Sequence, residues 1–166
     1  MNSIIENIPK LLKASILTIE LTLISLIIGI FIGLFFAILR LSKHKLLFSI
    51  SYYYSFVFRG TPLLVQIFII YFGLAQLEFI RESFLWFFLK KPFACAILAF
   101  SLNTGAYTSE IFRSGFEKVD KSIIEAANAL GIPNFWIFIK IKLPIAIKQS
   151  LPAYGNEMIL MLKGTS

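Results

Sequence analysis

The sequence predicts an all-α, polytopic helical membrane protein, on the strength of its apolar content, its scarcity of charge and the placement of the charges it has. Apolar residues, glycine not counted, make up 58% of the 166 residues. Soluble chains reach only about 45–50% even with glycine included. Charged residues are 15% of the chain, against about 25% in soluble domains. There are 18 Phe residues, and the mean hydropathy is +0.82. A soluble domain of this size could not withdraw so much apolar surface from water. Disorder, a nucleic-acid module and an ordinary cytosolic enzyme are thereby excluded. The net charge of +7 reflects basic residues at the ends of apolar runs, a topology signal and not a nucleic-acid footprint.

The first apolar run, Ala14 to Leu39, is long enough at ~1.5 Å per residue to cross a hydrocarbon core of about 30 Å. Lys10 and Lys13 precede it, but it is too long for a signal-peptide core and no small-x-small cleavage site follows. It reads as a retained helix. Gly29 and Gly33 form a small-xxx-small stripe, either a face for close helix approach or glycines tolerated against lipid. Glu20 falls near its outer end and reads as interfacial.

Arg40, Lys43, His44 and Lys45 make a short basic loop, marking the cytoplasmic side. Leu46 to Phe58 then carries Tyr52, Tyr53 and Tyr54, aromatics suited to a membrane interface. At Arg59-Gly60-Thr61-Pro62 the pattern breaks. Thr61 as helix cap and Pro62 at the first helical position predict a second span running to about Leu77. That span is short, and the preceding aromatic stretch completes it across a kink. Glu78, Arg81 and Glu82 form an outer loop, and Ser83 to Leu89 a short aromatic segment at the outer surface. Pro92 opens the third span, Phe93 to about Ile111, whose Asn103, Thr104 and Thr108 are expected to face other helices or a water-filled cavity. Cys95, the single cysteine, reads as a small buried residue. His44, between two lysines, reads as an interfacial side chain.

From Phe112 to Lys142 the chain is hydrophilic and basic, so it is assigned to the cytoplasm. A fourth span follows from about Leu143 to Leu162. The amino terminus is then outside. Within the loop, Ser122-Ile123-Ile124-Glu125 reads as a capping box, and Ile123, Ala127 and Leu130 as an apolar stripe. Gly131 closes the helix at its C′ position, Pro133 starts the next element, and Pro144 marks the junction with the last span. Such a helical hairpin suits docking by a soluble partner, or else rests on the membrane surface.

The same loop resembles a known family. Glu125-Ala126-Ala127, three residues, Gly131, nine residues and Ile141-Lys142-Leu143-Pro144 match the signature EAA-x3-G-x9-I-x-LP of the permease subunits of bacterial ABC importers. Further matches point to the polar amino acid (histidine and glutamine) branch. These are the helix from Thr18 to Leu39, Arg59-Gly60-Thr61-Pro62-Leu63-Leu64-Val65-Gln66, Ser101 to Tyr107, Glu110 to Arg113, and Asn156-Glu157 ahead of Lys163-Gly164-Thr165-Ser166. Two features depart from the family. Gly164 stands where Asp is usual, and the sequence stops at Ser166 where the family continues into a fifth helix.

The resemblance implies one permease domain over 1–166, of the five-helix type with about four helices present, truncated at its C-terminus, with a cytoplasmic coupling loop at about 112–142. It implies a multi-pass subunit of the bacterial inner membrane that translocates a polar amino acid, glutamine among the options. Its implied partners are an ABC ATPase subunit, a periplasmic or lipid-anchored amino-acid-binding protein and a second permease subunit. Glu125, Ala126, Ala127 and Gly131 would couple to the ATPase. No GxxxxGK[ST] sequence and no metal-ligand spacing occurs in the chain, so hydrolysis belongs to the partner and no cofactor is expected. Intramembrane polar groups nominate Glu157 and Lys163, then Thr61 and Asn103 with Gln66, for the substrate pathway. Glu157 would meet an ammonium or cationic side chain, and Lys163 a carboxylate; alternatively the two snorkel outward or pair. A channel or secondary transporter would instead show charge pairs along several spans and inverted repeats. A non-transporting remnant would keep the partner contacts alone.

Overall fold

The computed structural model describes the backbone of residues 2–165 and the side chains of residues 7–165. Every regular element among them is helical. Four pieces occupy the places of the expected spans. These are α1 (Asn2–Arg40), a bent pair made of α2 (Lys45–Gly60) and α3 (Leu63–Phe68), then α6 (Pro92–Glu117) and α9 (Leu143–Thr165). A π turn over Ile69–Gly73 and a 3-10 turn over Leu74–Gln76 extend α3. The one-turn helices α4 (Glu78–Arg81) and α5 (Trp86–Leu89) lie beyond it. Among the described residues α1 is long and apolar enough to span a membrane by itself, and α2 with α3 passes only as a pair, bent by 106°. The hairpin consists of α7 (Lys121–Ala129) and α8 (Asn134–Ile137).

The most extensive packing is between α1 and α6, and glycine permits it. A Cβ at Gly33 would lie 2.5 Å from Thr108 Cβ and 3.0 Å from the Gly105 carbonyl oxygen, and one at Gly29 would overlap the Thr104 methyl. Gly105 answers from the other side, where a Cβ would come 2.8 Å from Ile32. Of the two readings of the glycine stripe, the structure selects close approach. Between α6 and α9 the same device recurs at Gly115, where a Cβ would lie 2.6 Å from the Ala146 carbonyl oxygen. The buried core runs the length of these crossings: Ala37, Phe112, Phe116 and Ala146 at the hairpin end, Leu26, Phe100, Tyr154 and Met161 in the middle, Ile70, Cys95 and Ala99 at the far end.

Several expectations are corrected. Thr61 does not cap the start of the second span. It closes α2, its hydroxyl donating to the Val57 carbonyl, and Pro62 holds the cap position of α3. The kink is a near right angle, and its freed carbonyls explain the side chains around it. Gln66 Nε2 donates to the Phe58 carbonyl (2.8 Å), the Thr61 carbonyl (3.1 Å) and Thr61 Oγ1 (2.8 Å), and Asn103 Nδ2 donates to the same Phe58 carbonyl (3.0 Å). In an apolar setting those carbonyls would otherwise go unpaired, at a cost of about 1–3 kcal/mol each.

Tyr54 is not an interfacial aromatic. It stacks on Phe36 at 3.9 Å and donates to the Leu102 carbonyl at 2.7 Å. The hydrophilic loop does not begin at Phe112, because α6 continues to Glu117 with Phe112 and Phe116 buried and Arg113 bridging Glu110 and Glu117. The capping box is absent. Asp120 caps α7 instead, accepting from the Ser122 N–H at 2.9 Å, because the helix begins two residues earlier than Ser122 would allow. Of the stripe Ile123, Ala127, Leu130, only Ala127 is buried. Ile124 is the residue beside it that packs on the core.

The glycine seam yields a first prediction. Gly33→Leu should destabilise the protein by at least the ~1–3 kcal/mol of an overpacked core, read as a lower melting temperature in detergent. Gly155→Ala, where a Cβ meets nothing within 4 Å, should not lower it.

Candidate functional site

Two regions stand out, a partly open cavity that holds a carboxylate among mostly apolar walls, and the hairpin at the end of the bundle. The cavity, about 210 Å³, lies between α6 and α9 beside the start of α3. Each long helix lines it with the same spacing. Phe100, Asn103, Thr104 and Tyr107 come from α6, and Glu157, Leu160, Met161 and Gly164 from α9, both at i, i+3, i+4, i+7. That period places four side chains on one helical face. Glu157 is only 8% exposed, and its Oε1 accepts from the Thr104 hydroxyl at 3.3 Å. A carboxylate so withdrawn from water, with one neutral hydroxyl donor among the described residues and the Arg59 charge acting on it without direct contact, still favours an incoming cation.

The structure therefore brings Glu157 and Asn103 to one cavity, with Asn103 also tied to Gln66 Oε1 at 3.2 Å. It does not bring Thr61 there, since that side chain is spent on the elbow. Lys163 lies on the exposed side of α9 and is not among the cavity-lining residues, whereas its neighbour Gly164 is. Glu157 does not snorkel outward, and among the described residues no ion pair joins it to Lys163. Tyr107, Phe100 and Met161 went unnamed as lining residues in the sequence reading. The signal that could have found them is the doubled i, i+3, i+4, i+7 spacing around Asn103 and Glu157.

Towards the hairpin end Glu110 gathers three guanidinium groups. Arg113 lies at 2.8 Å, Arg40 at 3.3 Å and Arg59 at 3.9 Å. The network ties α1, α2 and α6 together, and Arg40 is further held over the rings of Phe48 and Tyr52.

In the hairpin, Gly131 takes φ +70°, a conformation that L side chains disfavour. Its N–H bonds to the Asn128 carbonyl (2.9 Å) and the next N–H, from Ile132, reaches back to Ala127 (3.2 Å), the pattern of a Schellman C-cap. The Ser122 amide holds the exposed Asp120 carboxyl below its usual range. Glu125 and Ala126 are exposed while Ala127 is buried, so the matched residues divide between the outer face and the core. Leu130, at 80% exposed, and Ile123, Phe135 and Trp136 are also exposed apolar residues of the hairpin, with the Lys140 ammonium over the Trp136 ring.

Residues 29–166 match the family described as binding-protein-dependent transport system inner membrane component. The chain is 50% identical over 164 residues to the nopaline transport system permease protein of Agrobacterium fabrum, covering 98% of this chain and 68% of that one. It is 46% identical to the octopine transport system permease protein of Rhizobium radiobacter (97% and 66% covered). With the histidine/lysine/arginine/ornithine transport system permease protein of Escherichia coli K12 it shares 41% identity (90% and 63%). The chain thus spans about two thirds of the length of these relatives. A crystal structure of an amino acid ABC transporter with histidines superposes with a TM-score of 0.84 at 36% identity, covering 98% of this chain and 72% of that one. With a helical fold of this likeness and a family match over most of its length, the chain belongs to the inner-membrane permease components of binding-protein-dependent ABC transport systems.

Proposed function

We propose that the chain is a multi-pass permease subunit of an ATP-driven importer in the bacterial inner membrane, and that it carries a cationic amino acid. The observation that supports this substrate class is the buried Glu157 in the cavity. A guanidinium or ammonium group there would supply the charge and donors that Thr104 alone does not. Glutamine, the option named from the resemblance, shares the α-ammonium of every amino acid but has only a neutral amide on its side chain, so it lacks the second cation that an arginine or lysine side chain would bring. Of the amino acids in the relatives' names, arginine, lysine and ornithine are cations and agree with this reading, while histidine, nopaline and octopine define further ligands to test.

The partners follow from the same reading. A separate ATPase subunit would hydrolyse ATP, a periplasmic or lipid-anchored binding protein would deliver the amino acid, and a second permease subunit would complete the assembly. The hairpin is the proposed ATPase contact. Glu125 and Ala126 lie on its outer face, Ala127 is buried, and Gly131 holds the turn. Closure of the ATPase would bias the permease only if the hairpin binds it differently in two states.

In proteoliposomes holding the assembled transporter, Glu157→Gln should raise the KM for arginine about 10–100-fold, the loss of one charged hydrogen bond, and narrow the preference for arginine over glutamine. Equal arginine uptake by wild type and variant would count against the cation site. Gly131→Pro is incompatible with φ +70° because proline locks φ near −65°. It and Glu125→Lys should each abolish ATP-driven uptake while the chain still inserts in the membrane. Uptake that persists in both would remove the coupling role.

A further inference from the structure

A second cavity, about 310 Å³, lies on the hairpin side of the first. Arg59, Arg113, Lys118 and Glu110 give it an excess of positive charge, the reverse of the cavity that holds Glu157. Among the described residues Tyr107 is the one side chain that lines both. It is half-buried on α6, and the Arg59 guanidinium lies over its ring, 5.3 Å from the centroid.

We propose that the Tyr107 ring is the partition between the two cavities, and that Arg59 is the latch that holds it. The latch is placed to release. Of the three guanidinium groups on Glu110, that of Arg59 is the most distant, at 3.9 Å. Its side chain is 43% exposed, whereas that of Arg40 is 12% exposed. Arg59 also sits in the last turn of α2, next to the 106° bend. Opening or closing that elbow therefore moves the guanidinium relative to α6, while Arg40 and Arg113 keep Glu110 in place. With Arg59 over the ring, the space beyond Tyr107 is closed by an aromatic wall and faced by cations, which repel a cationic substrate. With Arg59 withdrawn, the ring is free to change rotamer and the local positive charge falls, so both the steric and the electrostatic barrier drop together.

This inference rests on the import reading above, and the test separates the two. Transporter reconstituted with its ATPase is loaded into proteoliposomes with radiolabelled arginine, and efflux is followed without ATP. Tyr107→Ala should speed efflux about tenfold, a barrier loss near 1.4 kcal/mol, whereas Tyr107→Phe, which keeps the ring and its contact with the cation, should leak no faster than wild type. Arg59→Gln should leak about threefold faster, as expected for loss of an exposed cation–π contact. It carries the test by itself if Tyr107→Ala fails to accumulate in the membrane. Wild-type efflux rates in both Tyr107→Ala and Arg59→Gln, or leakage of Tyr107→Phe equal to that of the alanine variant, would overturn the partition. Absence of ATP-driven arginine uptake by the wild-type assembly would instead overturn the import reading.

Discussion

The crossing of α1 over α6 through Gly29, Gly33 and Gly105 is the constraint on which the remaining geometry depends. Between apolar helices in a membrane no hydrophobic driving force favours one contact over another, so shape decides where they meet. Glycine lets the backbones approach until Thr104 and Thr108 fill the space that side chains on α1 would have taken. Thr104 then serves two neighbours at once. Its methyl packs on Gly29, and its hydroxyl reaches Glu157 on α9. The carboxylate that gives the cavity its charge is thereby placed by a contact on the opposite side of α6.

Charge is segregated along the bundle. The middle holds one buried carboxylate, while the hairpin end holds Glu110 among three arginines. A shared anion of this kind ties separate helices to one another, because each guanidinium comes from a different part of the chain: the end of α1, the end of α2 and α6 itself. The elbow between α2 and α3 brings the loosest of them next to the cavity. Its freed carbonyls are satisfied by Gln66 and Asn103, so the irregular backbone is kept where protein covers it.

Much of this was legible in the sequence. Helical periodicity and apolar content located the long helices, because burial in lipid imposes them residue by residue. Gly131 was readable as a C′ residue because its positive φ is a local demand, and the glycine stripe was readable as one of two options. What escaped were choices settled by tertiary neighbours. Asp120 and Ser122 are both good caps, and the register that packs Ile124 on the core and buries Ala127 is the one that uses Asp120. Tyr54 carries the same interfacial signature as Tyr52 and Tyr53, and only the presence of Phe36 and the Leu102 carbonyl draws it inside. At the cavity, Asn103 and Glu157 stood out as polar groups in apolar runs. Thr61 and Lys163 stood out for the same reason and are oriented elsewhere, since composition does not say which face of a helix looks inward.

The central claim is that the buried Glu157 selects a cation in the space between α6 and α9. The most direct measurement is an experimental structure of the assembled transporter with arginine bound. The guanidinium or ammonium group should lie within hydrogen-bonding distance of the Glu157 carboxylate, with Asn103 facing the ligand. Arginine seated elsewhere, with Glu157 still bonded to Thr104 alone, would contradict that claim.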